Sequence, residues 1–118
     1  FIYIKDRSKD MIISGGENVY PAEVENALSS HPGVSEVGVI GQPSAKWGES
    51  TCAVVVRGRE WRGDDAQLVE ELQALAQQRL ARFKQPRRYV FVESLPRNPS
   101  GKILKRLLRD AFPGPAPE

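Results

Sequence analysis

The chain has 118 residues, 40% apolar and 27% charged, with a formal net charge of +2; that length buries roughly two thirds of the surface its unfolded form exposes, enough for one core and too little for two domains. One cysteine, Cys52, excludes an internal disulfide framework and a cysteine-based zinc cluster, and one histidine, His31, excludes a His-rich metal site. The longest apolar run, Cys52 to Val56, falls far short of the ~20 residues that span a bilayer.

Phe1 to Lys5 and Met11 to Ser14 read as short strands separated by the polar Asp6-Arg7-Ser8-Lys9-Asp10, a turn or hinge between them. Gly15-Gly16 then breaks the chain. Pro21 opens a helix at its first position, with Val24, Ala27 and Leu28 recurring at three and four before His31-Pro32-Gly33 stops it. Val34 to Ile40 is the next strand, Gly41-Gln42-Pro43 and Trp47-Gly48 mark a loop, and Thr51 to Val56 is β-branched and apolar enough for a central strand. Asp64 or Asp65 caps a second helix whose stripe is Leu68, Val69, Leu72, Leu75, Ala76 and Leu80, ending near Phe83. Arg88 to Val92 is a strand and Pro96 to Gly101 a loop. Ser100 caps a last helix with Ile103, Leu104, Leu107, Leu108 and Ala111 inward and Lys105, Arg106 and Arg109 outward. Residues 113–118 form a Pro-rich tail without core-forming side chains. The order ββαββαβα implies an α+β domain, a small mixed or antiparallel sheet with an N-terminal hairpin, covered by about three helices.

Charge is segregated along the chain. Residues 79–109 hold ten cationic side chains against Glu93 alone, and the remainder holds seven against fourteen anionic ones. Such a basic segment suits a polyanionic partner, whether nucleotide, nucleic acid or anionic membrane, with a solvated surface as the plain alternative. The alternative function is a stand-alone nucleotide or nucleic-acid binding module built on residues 79–109, although few aromatics interleave with these cations. A basic amphipathic helix at 101–112 is open to a membrane reading, but its apolar stripe is more simply a core face.

Two segments carry the chemistry. In residues 6–25, Asp-Arg-Ser-Lys-Asp-Met-Ile-Ile-Ser-Gly-Gly-Glu-Asn-Val-Tyr-Pro-Ala-Glu-Val-Glu, two glycines after a strand let the backbone approach a ligand or another domain, although a bare Gly-Gly is more often a plain turn. In Pro96-Arg97-Asn98-Pro99-Ser100-Gly101-Lys102-Ile103 a cation sits on a Gly-containing loop at a helix start, where free N–H groups favour an anion. It is not a Walker loop, because Ile103 follows the lysine and Pro96 stands where the first glycine belongs.

These two segments, together with Pro32-Gly33-Val34, Val39-Ile40-Gly41, Trp47-Gly48-Glu49 and Phe83-Lys84-Gln85-Pro86 in order, resemble the signatures of the C-terminal domain of adenylate-forming enzymes. That superfamily includes acyl-CoA synthetases, nonribosomal peptide adenylation domains and firefly luciferase, and the resemblance, strongest to fatty or aryl acyl-CoA ligases, runs from about Ile2 to Arg109. It implies a lid domain over residues 1–112, hinged near 6–10, that caps a large N-terminal adenylation domain in two orientations. The sequence opens on Phe1 without an initiator Met or a leader, so it reads as a segment of a longer chain. The isolated segment is then expected not to adenylate.

The resemblance further implies ATP with Mg2+ and coenzyme A as co-substrates, a fatty or aryl carboxylic acid as acyl donor, no nucleic-acid partner and a cytoplasmic location. Lys102 matches the lysine that enters the site for adenylation, where a cation between carboxylate and α-phosphate relieves their repulsion. Lys9 matches the hinge position, and Arg7 an arginine near the nucleotide. Gly15, Gly16 and Glu17 match the lining of the pantetheine tunnel. Trp47, Phe83 and Lys84 match positions near the coenzyme A nucleotide, with core packing as the alternative for Trp47 and Phe83. His31 reads as a helix-end residue and Cys52 as a small apolar residue of a strand. The resemblance implies no metal site on the segment itself.

Overall fold

Cys52 to Val56 is buried at every position because the strand that holds it is covered on both faces. The computed structural model describes residues 11–44, 48–101 and 103–112. In order these form β1 (Ile12–Ser14), β2 (Glu17–Val19), α1 (Pro21–Ser29), β3 (Val34–Ser44), β4 (Gly48–Arg57), α2 (Asp65–Arg79), a 3-10 turn (Arg82–Lys84), β5 (Arg88–Phe91) and α3 (Lys105–Ala111). The fold is α+β. Its sheet runs β2-β1-β4-β3, with β5 joined to β4; every pairing is antiparallel except β4 with β5.

The side chains of β4 divide between two cores. Ala53 and Val55 join Val37 and Val39 of β3 beneath α1 and α2, which contribute Val24, Ala27 and Leu28 and then Leu68, Leu72 and Ala76. Cys52, Val54 and Val56 face the other way, towards Ile40, Leu95 and Leu108, so α3 covers the second face. Gly38 of β3 makes room there: a Cβ at this position would meet Leu108 Cδ1 at 3.1 Å.

The helices begin where local chemistry predicts. Pro21 stands at the first turn of α1, and the Asp64 carboxylate accepts from the Gln67 N–H at 2.8 Å, capping α2. His31 closes α1 into the next strand: its Nδ1 accepts from the Gly33 N–H at 2.8 Å, which leaves Nε2 as the protonated nitrogen that donates to Glu71 at 2.7 Å.

Several expectations are corrected. The described elements run ββαββαβα only because Glu17–Val19, not expected as a strand, follows Ile12–Ser14; the expected strand at 1–5, the 6–10 hinge and the 113–118 tail lie outside the described residues. Gly15-Gly16 is the plain turn that a bare Gly-Gly favours: with φ of 60° and 83° it folds β2 back on β1. Gly41-Gln42-Pro43 is strand, since β3 stays paired with β4 as far as Ser44 opposite Gly48. Leu104, not Ser100, precedes α3, and the Ser100 hydroxyl instead donates to Asn98 Oδ1 at 2.8 Å. Leu107 is 40% exposed, and Lys105, expected outside, is largely buried.

Lys105 turns inward because β3 is an edge strand whose outer backbone groups need partners. Glu25 Oε2 accepts from the Val39 N–H at 2.9 Å, and Lys105 Nζ donates to the Val39 carbonyl at 3.1 Å and to Glu25 Oε2 at 2.6 Å. One ion pair thus fastens α1 and α3 to the middle of β3.

Candidate functional site

The expected site residues Arg7, Lys9, Trp47 and Lys102 lie outside the described residues. The residues flanking position 102 form a closed turn. Arg97 and Ile103 make an antiparallel bridge, and the Leu104 N–H reaches the Pro96 carbonyl at 2.8 Å. Inside that closure the Gly101 N–H donates to the Asn98 carbonyl at 2.9 Å, and Asn98 Oδ1 accepts from the Ser100 N–H at 3.1 Å. Gly101 adopts φ of 89°, a region that L side chains rarely occupy.

Arg97 ties this turn to the sheet. Its Nη1 donates to the Gly101 carbonyl at 2.7 Å, and its Nη2 pairs with the Glu36 carboxylate on β3. Arg97 had a place in the motif but no assigned role; the signal that finds it is an arginine five residues before Lys102 in a turn-forming stretch. Because α3 begins only at Lys105, the expected helix start does not adjoin Lys102, and the turn's own hydrogen bonds define the segment instead.

The other candidate segment lies at the tip of the β1–β2 hairpin. Gly15 and Gly16 are exposed and hold no side chain there, and Glu17 points into solvent. The hairpin is braced by Glu49 Oε1, which accepts from the Ile13 N–H at 2.9 Å. The 3-10 turn with Phe83 and Lys84 touches β2, so these two candidate sets are neighbours. Phe83 is 38% exposed, which removes the core-packing alternative for that ring. Lys84 Nζ sits 5.6 Å from the Phe83 ring centre and pairs with Glu23 at 3.0 Å.

The hairpin tip and the closed turn stand at opposite corners of the sheet. Ser14, next to Gly15, is opposite Gly48 at the start of β4, whereas Glu36, which holds Arg97, is opposite Val56 near its end. Eight residues along β4 and two strand spacings across separate Ser14 from Glu36 by roughly 28 Å.

Part of the charge segregation is resolved inside the molecule. Lys84, Arg97 and Lys105 of the basic segment pair with Glu23, Glu36 and Glu25 of the acidic half. Neither Cys52 nor Tyr89 is suited to chemistry. Burial pushes the Cys52 thiol up to about 11, with the Arg88 guanidinium pulling slightly the other way, and burial likewise raises the Tyr89 phenol. A groove of about 570 Å3 between the ends of β4 and β5, lined by Arg57, Trp61, Phe91 and Glu93 among others, contains none of the candidate residues. Its Arg57 is engaged by Asp65 at 2.9 Å. Among the described residues no cluster of His, Cys, Asp and Glu is arranged to hold a metal ion, and no helix is long and apolar enough to cross a membrane.

A hairpin at one corner, a braced turn at the other and a mixed sheet with helices on both faces define a small domain that offers two separate polar edges. Residues 23–102 match the family model described as AMP-binding enzyme C-terminal domain, and the chain belongs to that family. It is 52% identical over its whole length to the long-chain-fatty-acid–CoA ligase FadD13 of Mycobacterium tuberculosis, covering 22% of that protein. It is 49% identical over 97% of its length to the fatty acid–[acyl-carrier-protein] ligase ScoC of Streptomyces coeruleorubidus, covering 21% of it. A solved Mycobacterium tuberculosis fatty acyl CoA synthetase superposes with a TM-score of 0.78 at 51% identity, over 92% of this chain and 21% of that one. The chain therefore spans about a fifth of the length of these relatives.

Proposed function

We propose that this chain is the mobile lid of an ATP-dependent acid–thiol ligase of the fatty acyl-CoA synthetase type. In the first half-reaction a carboxylate oxygen attacks the α-phosphorus of ATP, supplied as its magnesium complex; an acyl-adenylate forms and pyrophosphate leaves. In the second, the coenzyme A thiol attacks the acyl carbonyl and AMP leaves. Lys102 serves the first step, in which two anionic groups must approach and a cation between them stabilises the developing charge. Lys9 is the hinge about which the lid turns between the steps, and Arg7 lies near the nucleotide. The face with Gly15, Gly16, Glu17, Trp47, Phe83 and Lys84 then serves the second step, the glycines leaving a path for a thin chain and the aromatic and cationic side chains meeting the coenzyme nucleotide. The large N-terminal domain supplies the acyl pocket, and the enzyme works in the cytoplasm.

The observation that carries this reading is the separation of the two candidate segments. Two segments anchored at positions roughly 28 Å apart on one sheet do not reach a single reaction centre together, so a lid that uses both must present them in turn. The charge pairing inside the molecule gives no support to a nucleic-acid partner.

The test uses the full-length gene product with a panel of carboxylic acids. Pyrophosphate release from ATP is measured beside thioester formation from pre-made acyl-adenylate. Lys102→Ala is expected to lower the first rate by about 100-fold or more, the scale of one lost electrostatic contact to a transition state, and to spare the second. Equal loss in both steps, or none in either, would refute the assignment.

A further inference from the structure

We propose that Arg97 is the positioning residue of the adenylation step, with Glu36 as its anchor. The inference rests on the reading of Lys102 given above. The carbonyl that Arg97 Nη1 grips at 2.7 Å is that of Gly101, one half of the peptide bond leading into Lys102. The other arm of the same guanidinium is held by Glu36, which belongs to β3 and so to the rigid part of the domain. One planar side chain therefore connects the sheet to the backbone immediately before the lysine. The main chain at Arg97 adds a second hold, the bridge to Ile103 immediately after it. Lys105, fastened to Glu25 and Val39, fixes the segment further along.

The arrangement is suited to aiming more than to stability. The Arg97 and Glu36 side chains are 41% and 34% exposed, and ion pairs at that exposure contribute little to folding. A long, flexible lysine reaching across a domain boundary, in contrast, depends on where its backbone starts. An error near 1 Å in such a placement costs about 100-fold in rate. The fork matters as well as the charge: an ammonium at this position satisfies one acceptor as a point charge and lacks the planar geometry that bridges a carboxylate and a carbonyl. Gly101, with its φ of 89°, has a backbone that would relax on release of its carbonyl.

The experiment compares single-turnover adenylation and thioester formation in the full-length enzyme. Arg97→Ala is expected to slow adenylation by ~10- to 100-fold with less than about a 3-fold change in KM for ATP, leaving thioester formation and, within ~3 °C, the melting temperature as they are. Arg97→Lys should stay slow. Glu36→Gln, which still accepts from Arg97, should keep most of the rate that Glu36→Ala loses. The Arg97→Ala/Lys102→Ala double variant should be no slower than Lys102→Ala, because a residue that acts through another has nothing left to position. Additive losses in the double variant would mean that Arg97 acts on its own and would overturn the proposal, as would equal loss in both half-reactions. Lys102→Ala crippled with Arg97→Ala unimpaired refutes the positioning role alone. Lys102→Ala at the unmodified rate refutes the lysine assignment itself.

Discussion

Cys52 is the third residue of the buried run Ser50 to Val56 in β4 and faces the core beneath α3, where a thiol favours the neutral form. Its acid constant in the fold lies near 11, against an ordinary value of 9.0. Below pH 9 both folded and unfolded chains hold the proton, and the full stability is present. Between pH 9 and 11 the unfolded chain releases it first, so folding loses stability as pH rises, by about 2–3 kcal/mol if the whole shift is expressed. Urea midpoints measured across this window should fall more steeply for the natural sequence than for Cys52→Ala, and the native thiol should resist iodoacetamide at pH 8 until urea is added. The sequence identified Cys52 as a small apolar residue, because β-branched neighbours on both sides define a buried strand. It held no sign of Arg97 pairing with Glu36 or of Lys105 turning inward. Those contacts join residues 36 and 97, or 25 and 105, and depend on which edge of the sheet the last loop crosses.

At the scale of elements, the β1–β2 hairpin is the clearest case of a signal understood in kind and missed in extent. Two glycines at positive φ are what a two-residue hairpin turn requires, yet the strand they lead into has only Glu17, Asn18 and Val19, too few to show a period. A Cβ on Gly16 would meet nothing within 4 Å, so Gly16→Ala tests backbone conformation alone; it should destabilise the domain by about 1–2 kcal/mol in urea titration, and Gly16→Asn by less. The polar junction of α1, β3 and α3 was equally hidden. Lys105→Met removes the partner of a largely buried Glu25 and of the Val39 carbonyl, and an expected loss of about 3 kcal/mol follows from the unpaired charge. A matching thermal melt with a loss under 1 kcal/mol would mean that water replaces the ammonium there. Helix boundaries were legible wherever the side chain itself makes the cap, as at Asp64, and illegible at α3, whose cap position is a leucine.

For the whole molecule, the α+β class, a sheet covered by about three helices and the buried central strand followed from the order and periodicity of the segments, while the long reach of β3 and β4 did not. Their pairing continues through Gly41-Gln42-Pro43, residues that mark turns when only local preference is considered, because ten register pairs with β4 outweigh it. The basic segment read as a ligand surface serves in part as an internal counter-charge, through Lys84, Arg97 and Lys105. Fluorescence anisotropy with a labelled oligonucleotide should accordingly show no saturable binding at physiological salt; tight binding with a steep salt slope would reopen that possibility. The outer edge of β3 has one more consequence. A domain that swings through solvent between two docked positions exposes whatever strand it has on its rim, and a bare rim would zip onto the rim of a neighbouring molecule. Here Val39 already has both backbone groups occupied by Glu25 and Lys105, and Pro43 has no N–H to offer. The same ion pair that fastens two helices therefore also blunts this edge against pairing with a second copy, a protection that a lid of the proposed kind would need.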